Sequence, residues 1–182
     1  MSRTLVLGGA RSGKSRHAEQ LLARHPVVTY VAPGPSGAGD DPEWADRIRR
    51  HRERRPAGWR TEETLDIAGV LRRADGPVLV DCLATWLTGV IDRAGAWDSP
   101  ERASDEVARR APELLAAWSA TAHEVVAVSN EVGMAVVPAT ASGRLFRDEL
   151  GRLNAAVSAA SDVVHLIVAG RVLDLSGCAV VP

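Results

Sequence analysis

The residues with the plainest chemical purpose are Gly8, Gly9, Ala10, Arg11, Ser12, Gly13, Lys14 and Ser15, a run that fits the spacing Gly, four residues, Gly, Lys, Ser/Thr. Chemistry on a nucleotide phosphate needs this combination. Glycines let backbone N–H groups approach phosphate oxygens, and a helix starting at the end of the run adds partial positive charge. In such a loop Lys14 reaches the outer phosphates and the Ser15 hydroxyl ligates Mg²⁺. The alternative is a strand-to-helix turn that binds nothing. Against it stands the lysine itself: Lys14 is the only lysine in the chain, every other strongly basic side chain being arginine. A compact ammonium placed only here suggests a role that a guanidinium fork does not fill.

A second stretch, Asp46 to Arg55, carries much of the positive charge, with six arginines among the nine residues from Arg47 to Arg55. On a helix, Trp44, Ile48 and His51 share one stripe and the arginines surround it. One reading is structural: Trp44 and Ile48 are core contacts, His51 sits at the core's edge and the arginines are solvated. The chemical reading is that the arginines spread the charge of a triphosphate and keep His51 neutral, and a neutral imidazole can attack phosphorus. A third candidate is Asp81, which ends the apolar run Val78-Leu79-Val80. It is expected either to serve Mg²⁺ or to cap the helix that follows.

The elements that must position these groups alternate. Thr4–Leu7 reads as a strand, Arg16–Arg24 as a helix with Ala18, Leu21 and Leu22 on one face, and Val27–Val31 as a second strand leading into the loop 33–39. Asp41-Pro42 opens the arginine-rich helix, which runs to about Arg55. Trp59–Glu63 is extended, Leu65–Arg73 helical, Val78–Asp81 a strand and Leu83–Ile91 helical. Ser99-Pro100 starts a long helix to about Thr121, with a possible break at Pro112. Glu124–Val128 is a strand, Ser129–Pro138 a loop, Ser142–Ser161 a helix with Leu145, Phe146, Leu150, Leu153 and Val157 inward, Asp162–Ala169 a strand, and Arg171–Val181 an edge hairpin. Apolar strands alternating with helices predict an α/β fold with a mostly parallel sheet covered on both faces, its ligand site at the carboxyl edge.

A chain of 182 residues, 46% hydrophobic, is expected to form one domain spanning 1–182. The net charge of −1 offers no overall basic field for nucleic acid or a membrane surface. Cys82 and Cys178 are spaced for neither a metal pair nor a disulfide framework, which suits a reducing cytoplasm. No apolar run is long enough to span a membrane. The Asn-Lys-x-Asp guanine reader of switch GTPases and the Leu-Ser-Gly-Gly signature of transporter ATPases are missing, which leaves a small kinase or a nucleotidyltransferase. His17, His25, His123 and His165 are expected to be structural.

Ordered motifs along nearly the whole chain resemble the bifunctional adenosylcobinamide kinase/adenosylcobinamide-phosphate guanylyltransferase family. They are Gly8–Glu19, Tyr30-Val31-Ala32, Arg47-Ile48 with His51, Arg55-Pro56, Trp59-Arg60-Thr61, Glu63, Asp81-Cys82-Leu83, Trp86-Leu87, Asn130–Gly133, Val137-Pro138, Phe146-Arg147-Asp148, Gly151 and Asn154. The resemblance implies a RecA-like P-loop fold, a homotrimer, and ATP or GTP with Mg²⁺. It implies phosphorylation of the adenosylcobinamide hydroxyl, then transfer of GMP to adenosylcobinamide phosphate through a guanylylated histidine at the position of His51. It also assigns Gly34, Pro35, Ser36, Arg52, Glu53, Arg54, Arg55, Glu63 and Asp81 to the nucleotide site. Two positions depart from the family pattern: the loop 33–41 is longer and richer in Gly and Pro, and Ala135 stands where glycine is common.

Overall fold

The computed structural model describes residues 2–34, 46, 49 and 55–181. Its strands are β1 (Arg3–Gly8), β2 (Thr29–Val31), β3 (Arg60–Glu62), β4 (Val78–Asp81), β5 (Val125–Asn130), β6 (Val163–Val168) and β7 (Arg171–Asp174). The helices are α1 (Lys14–Leu21), α2 (Ile67–Arg73), α3 (Leu83–Ala94), α4 (Pro100–Ala120) and α5 (Ala141–Ala159). One seven-stranded sheet runs in the order β3-β2-β4-β5-β1-β6-β7, every pair parallel except β6–β7. This is the mostly parallel α/β architecture expected of a P-loop protein, with a small antiparallel hairpin at its C-terminal end.

Strand composition accounts for where each strand lies. In β1 the consecutive residues Thr4, Leu5 and Val6 are all buried, as are Val78–Val80 of β4 and Val125–Ser129 of β5. Successive strand side chains point to opposite faces, so unbroken burial means that both faces of the central strands are covered. All four residues of the edge strand β7 are exposed. On the flanks α1 packs against β1, β4 and β5, while α2, α3, α4 and α5 pack among themselves. Trp118, Leu87, Ile91, Leu114 and Leu150 are fully buried there, and each such side chain contributes roughly 1.5–3 kcal/mol of burial.

Several boundaries differ from the sequence expectation. Helix α1 begins at Lys14 rather than Arg16, because Gly13 turns the chain at φ 99° directly into the first turn, and it stops at Leu21 rather than Arg24. Ser129 and Asn130 belong to β5 rather than to the following loop, paired with Leu7 and Gly8. Val27 and Val28 lie outside β2. Helix α4 passes through Pro112 without a break; Ala108, whose carbonyl loses its partner, and Pro112 itself are both exposed, so water can satisfy the freed group. The edge hairpin is not folded within Arg171–Val181. It is made by β7 against β6, through a two-residue turn at Ala169-Gly170 in which both residues have positive φ, 50° and 74°. That is the pattern of a hairpin turn matched to strand twist. Of the arginine-rich helix, Asp46 and Arg49 are helical and paired to each other; Trp44, Ile48 and His51 fall outside the described residues.

The start of β1 is fastened to the start of β6 by a bidentate clip. Arg3 donates from Nε and Nη2 to the two carboxylate oxygens of Asp162, at 3.0 and 2.6 Å, and its backbone amide adds a third bond at 2.9 Å. These bonds hold the Asp162 carboxyl down at about 2. A carboxylate depressed in the folded state stabilises above its unfolded pKa and loses that contribution as pH falls through the folded value. Asp162→Asn should therefore lower stability at neutral pH, modestly because the pair is part-exposed. The gap to wild type should close as pH drops from about 4 to about 2. Urea titrations at a series of pH values would read this, and a gap that persists unchanged at the acid end would refute it.

Candidate active site

All six parallel strands end on one side of the sheet, so the segments that follow them share an edge. Gly8 is level with Asn130 of β5 and Ile167 of β6, Val31 with Glu62 and Val80, and Asp81 with Val128. The glycine loop leaves β1 at the middle of this edge.

Two neighbours tie the loop down. The Glu131 amide donates to the Gly8 carbonyl at 3.1 Å, and the Gly170 amide donates to the Ser12 carbonyl at 3.2 Å. Within the loop Ser12 N–H reaches the Gly9 carbonyl at 3.3 Å, and Arg11 has φ 56°. Gly8 has no room for a side chain: a Cβ there would lie 2.6 Å from Ser12 Oγ and 2.8 Å from the Ile167 carbonyl oxygen. A Cβ on Gly9 or Gly13 would meet nothing within 4 Å, so the loop is crowded below and open above. The first turn of α1 carries no capping side chain. Lys14 is 5% exposed and donates from Nζ to the Gly9 carbonyl at 3.2 Å, lying back over the loop. Ser12 Oγ is buried without a hydrogen-bond partner. An ammonium, uncapped amides and an orphaned hydroxyl gathered on one loop are the groups that suit a polyanion.

Asp81 stands at the end of β4. It is not the cap of the helix that follows: Cys82 holds that position, its amide and thiol both reaching Thr85 Oγ1. Instead the Asp81 carboxylate accepts a 2.9 Å hydrogen bond from the hydroxyl of Tyr30. The Tyr30 phenol is buried, and burial together with Asp81 raises its pKa well above the ordinary value, so it stays a donor. Arg55 sits over the same ring, Cζ 3.4 Å from its centroid, and donates to Thr61 Oγ1 at 2.8 Å. A partly exposed cation–π contact of this kind is worth about 0.5 to 1 kcal/mol. The Cys82 thiol is pushed up by burial and by Asp81, with the Thr85 hydrogen bonds and then Lys14 opposing.

Ser15 and Asp81 are half-buried oxygen donors. Among the described residues there is no group of three or more His, Cys, Asp or Glu able to hold a metal. One hydroxyl and one carboxylate suit Mg²⁺, which takes few protein ligands and completes its shell with water and phosphate. Gly34 follows β2 and Glu63 follows β3 on the same edge. Pro35, Ser36, His51, Arg52, Glu53 and Arg54 lie outside the described residues. Glu131 folds onto its own turn, accepting from Gly133 N–H at 2.6 Å. Ala135 does not have a positive φ, so the missing glycine costs the backbone nothing there.

The histidines expected to be structural have structural partners in three cases. His17 and His165 face each other at 2.9 Å, and burial followed by its neighbour lowers the His17 pKa. His25 meets Glu124 at 2.9 Å. Tyr30 and Ser12 carry more of the site's geometry than the sequence alone suggested. For Tyr30 the available clue was a lone tyrosine one residue from a strand's carboxyl end in a chain almost without aromatics other than tryptophan.

A family model described as cobinamide kinase / cobinamide phosphate guanyltransferase matches residues 4–175. The chain is 42% identical to the bifunctional adenosylcobalamin biosynthesis protein CobU of Salmonella typhimurium, covering 91% of this chain and 95% of that protein. It is 42% identical to CobP of Pseudomonas aeruginosa, covering 96% and 98%, and 41% identical to CobU of Escherichia coli, covering 91% and 95%. The chain therefore belongs to the cobinamide kinase / cobinamide phosphate guanyltransferase family.

Proposed function

We propose that this protein is a cytoplasmic, bifunctional enzyme that phosphorylates the aminopropanol hydroxyl of adenosylcobinamide and then transfers GMP from GTP to the resulting phosphate. The observation that carries the reading is a family match running over residues 4–175 with the phosphate loop intact at its head. In the kinase step the substrate hydroxyl attacks the γ-phosphorus of ATP or GTP and gives its proton to a base, for which Glu63, Asp81 and Glu131 are the candidates, while an O–P bond forms, the bond to the β-phosphate oxygen breaks and the nucleoside diphosphate leaves. The loop amides and Lys14 hold the phosphate oxygens, countering the charge that shifts toward the leaving group. Ser15 and Asp81 would hold Mg²⁺, which supplies electrostatic stabilisation of the same phosphates. In the transfer step a ring nitrogen of His51 attacks the α-phosphorus of GTP and pyrophosphate leaves. An oxygen of the substrate phosphate then takes the GMP, restoring the imidazole and giving adenosylcobinamide-GDP. The arginines at 52, 54 and 55, with Gly34, Pro35, Ser36, Glu53 and Glu63, complete the nucleotide site in this reading.

We also infer a homotrimer. The family resemblance suggests it, and the exposed edge offers a surface to cover: Val168, Val172 and Leu173 are 51%, 46% and 52% exposed along the β6–β7 hairpin. An unpaired apolar edge strand invites association. Light scattering at micromolar concentration should report three copies, and a stable monomer would refute the inference.

If one nucleotide site serves both reactions, Lys14→Ala should reduce both by roughly 10²–10³-fold, the loss usual for a preorganised phosphate-stabilising group. Lys14→Arg should restore little. Parallel kinase and guanylyl-transfer assays check this; full guanylyl transfer by Lys14→Ala would mean separate sites.

Wild-type protein given α-labelled GTP and Mg²⁺, with no corrinoid, should release pyrophosphate and retain GMP in an acid-labile, base-stable phosphoramidate. His51→Ala should take up no label, a loss of several orders of magnitude, yet still phosphorylate adenosylcobinamide. His17→Ala, His123→Ala and His165→Ala should still label. Normal labelling of His51→Ala would exclude the mechanism, and wild type that never labels would leave a monofunctional kinase as the better account.

A further inference from the structure

Tyr30 occupies a position that the two reactions do not by themselves explain. It is the only tyrosine in the chain and is 1% exposed. Its Cα is level with Leu79 of β4 and Thr61 of β3, yet its hydroxyl reaches Asp81, two residues further along β4, so the side chain leans toward the ligand edge. One face of the ring carries the Arg55 guanidinium at 3.4 Å, and the tip donates to Asp81 at 2.9 Å. Arg55 is also fixed by Thr61, directly beside Tyr30 in the sheet, while its Nε is buried without a hydrogen-bond partner. A buried guanidinium donor left unmatched is an expensive arrangement to keep. Here it sits at the end of the arginine run and against the carboxylate's own hydrogen-bond donor.

We propose that Tyr30 is a positioning residue for this enzyme. Its ring seats Arg55, the last arginine of the segment that carries His51, and its hydroxyl fixes the Asp81 carboxylate, so that the phosphate-facing and metal-facing groups rest on one side chain. The inference depends on the functional reading of Asp81 and the arginine segment given above. It adds that the two are mechanically joined. Phenylalanine would keep the seat and lose the carboxylate's donor; leucine would lose both.

The test pairs Tyr30→Phe, Tyr30→Leu, Arg55→Ala and Tyr30→Leu/Arg55→Ala with two readouts. The first is binding of Mn²⁺ in the presence of GDP, followed by electron paramagnetic resonance without turnover. Tyr30→Phe should weaken Mn²⁺ binding about tenfold, the usual consequence of removing a hydrogen bond to a charged group. Its kinase kcat at saturating Mg²⁺ should fall much less than its metal affinity. The second is the rate of GMP labelling. Tyr30→Leu and Arg55→Ala should each slow labelling about tenfold, Tyr30→Phe should slow it less, and the double variant should be little worse than either single, because both remove one support. Mn²⁺ binding by Tyr30→Phe equal to wild type would overturn the role of the hydroxyl. Additive labelling losses in the double variant would overturn the shared seat. Should Tyr30→Leu fail to fold by circular dichroism, the Tyr30→Phe metal affinity decides alone. Failure of the functional reading looks different: wild type itself would take no label, while its Mn²⁺ titration still reports on the tyrosine.

Discussion

The phosphate loop is held by its neighbours before any ligand arrives. One backbone bond from Glu131 to Gly8 and another from Gly170 to Ser12 clamp it between the segments that follow β5 and β6. Both clamps exist because parallel strands in register deliver their ends to the same edge. A loop of eight residues containing three glycines would otherwise lose considerable backbone entropy on closing round a phosphate, roughly 1–2 kcal/mol for each residue fixed. Here most of that cost is met on folding, and the crowding beneath Gly8 is its visible trace.

The carboxylate side of the site is built on a different economy. The loop relies on backbone groups, whereas Asp81 accepts from the Tyr30 side chain of β2, over whose ring Arg55 lies. Backbone clamps constrain neighbouring residues only through space, as at Gly8, where no side chain fits. Side-chain clamps also fix the residue's chemistry. The two halves of the site are therefore expected to differ in how far their supporting residues can vary among proteins of this architecture.

Much of this was legible in the sequence. The loop, the alternation of strands and helices, the exact span of β4 and the carboxylate at its end follow from local spacing, where glycine, β-branched residues and helix caps act over a few positions. What local pattern missed was decided by tertiary partners. Ser129 and Asn130 look like loop but pair with Leu7 and Gly8, 122 positions away. Pro112 looks like a breaker but faces water, where its lost hydrogen bond is cheap. Asp81 has the composition of a helix cap, yet Cys82 takes the cap while Asp81 accepts from the Tyr30 hydroxyl. The stack of Arg55 on Tyr30 joins residues with no shared periodicity and left only a faint trace, a solitary tyrosine at a strand end.

Lys14 is the sole lysine of the chain and, among the described residues, one of the few buried polar ones. On most proteins an acylating metabolite or reagent meets many exposed lysines and modifies them in proportion to their accessibility, with little effect on catalysis. This surface presents none. Any lysine acetylation here falls on the glycine loop and removes the ammonium that donates to the Gly9 carbonyl.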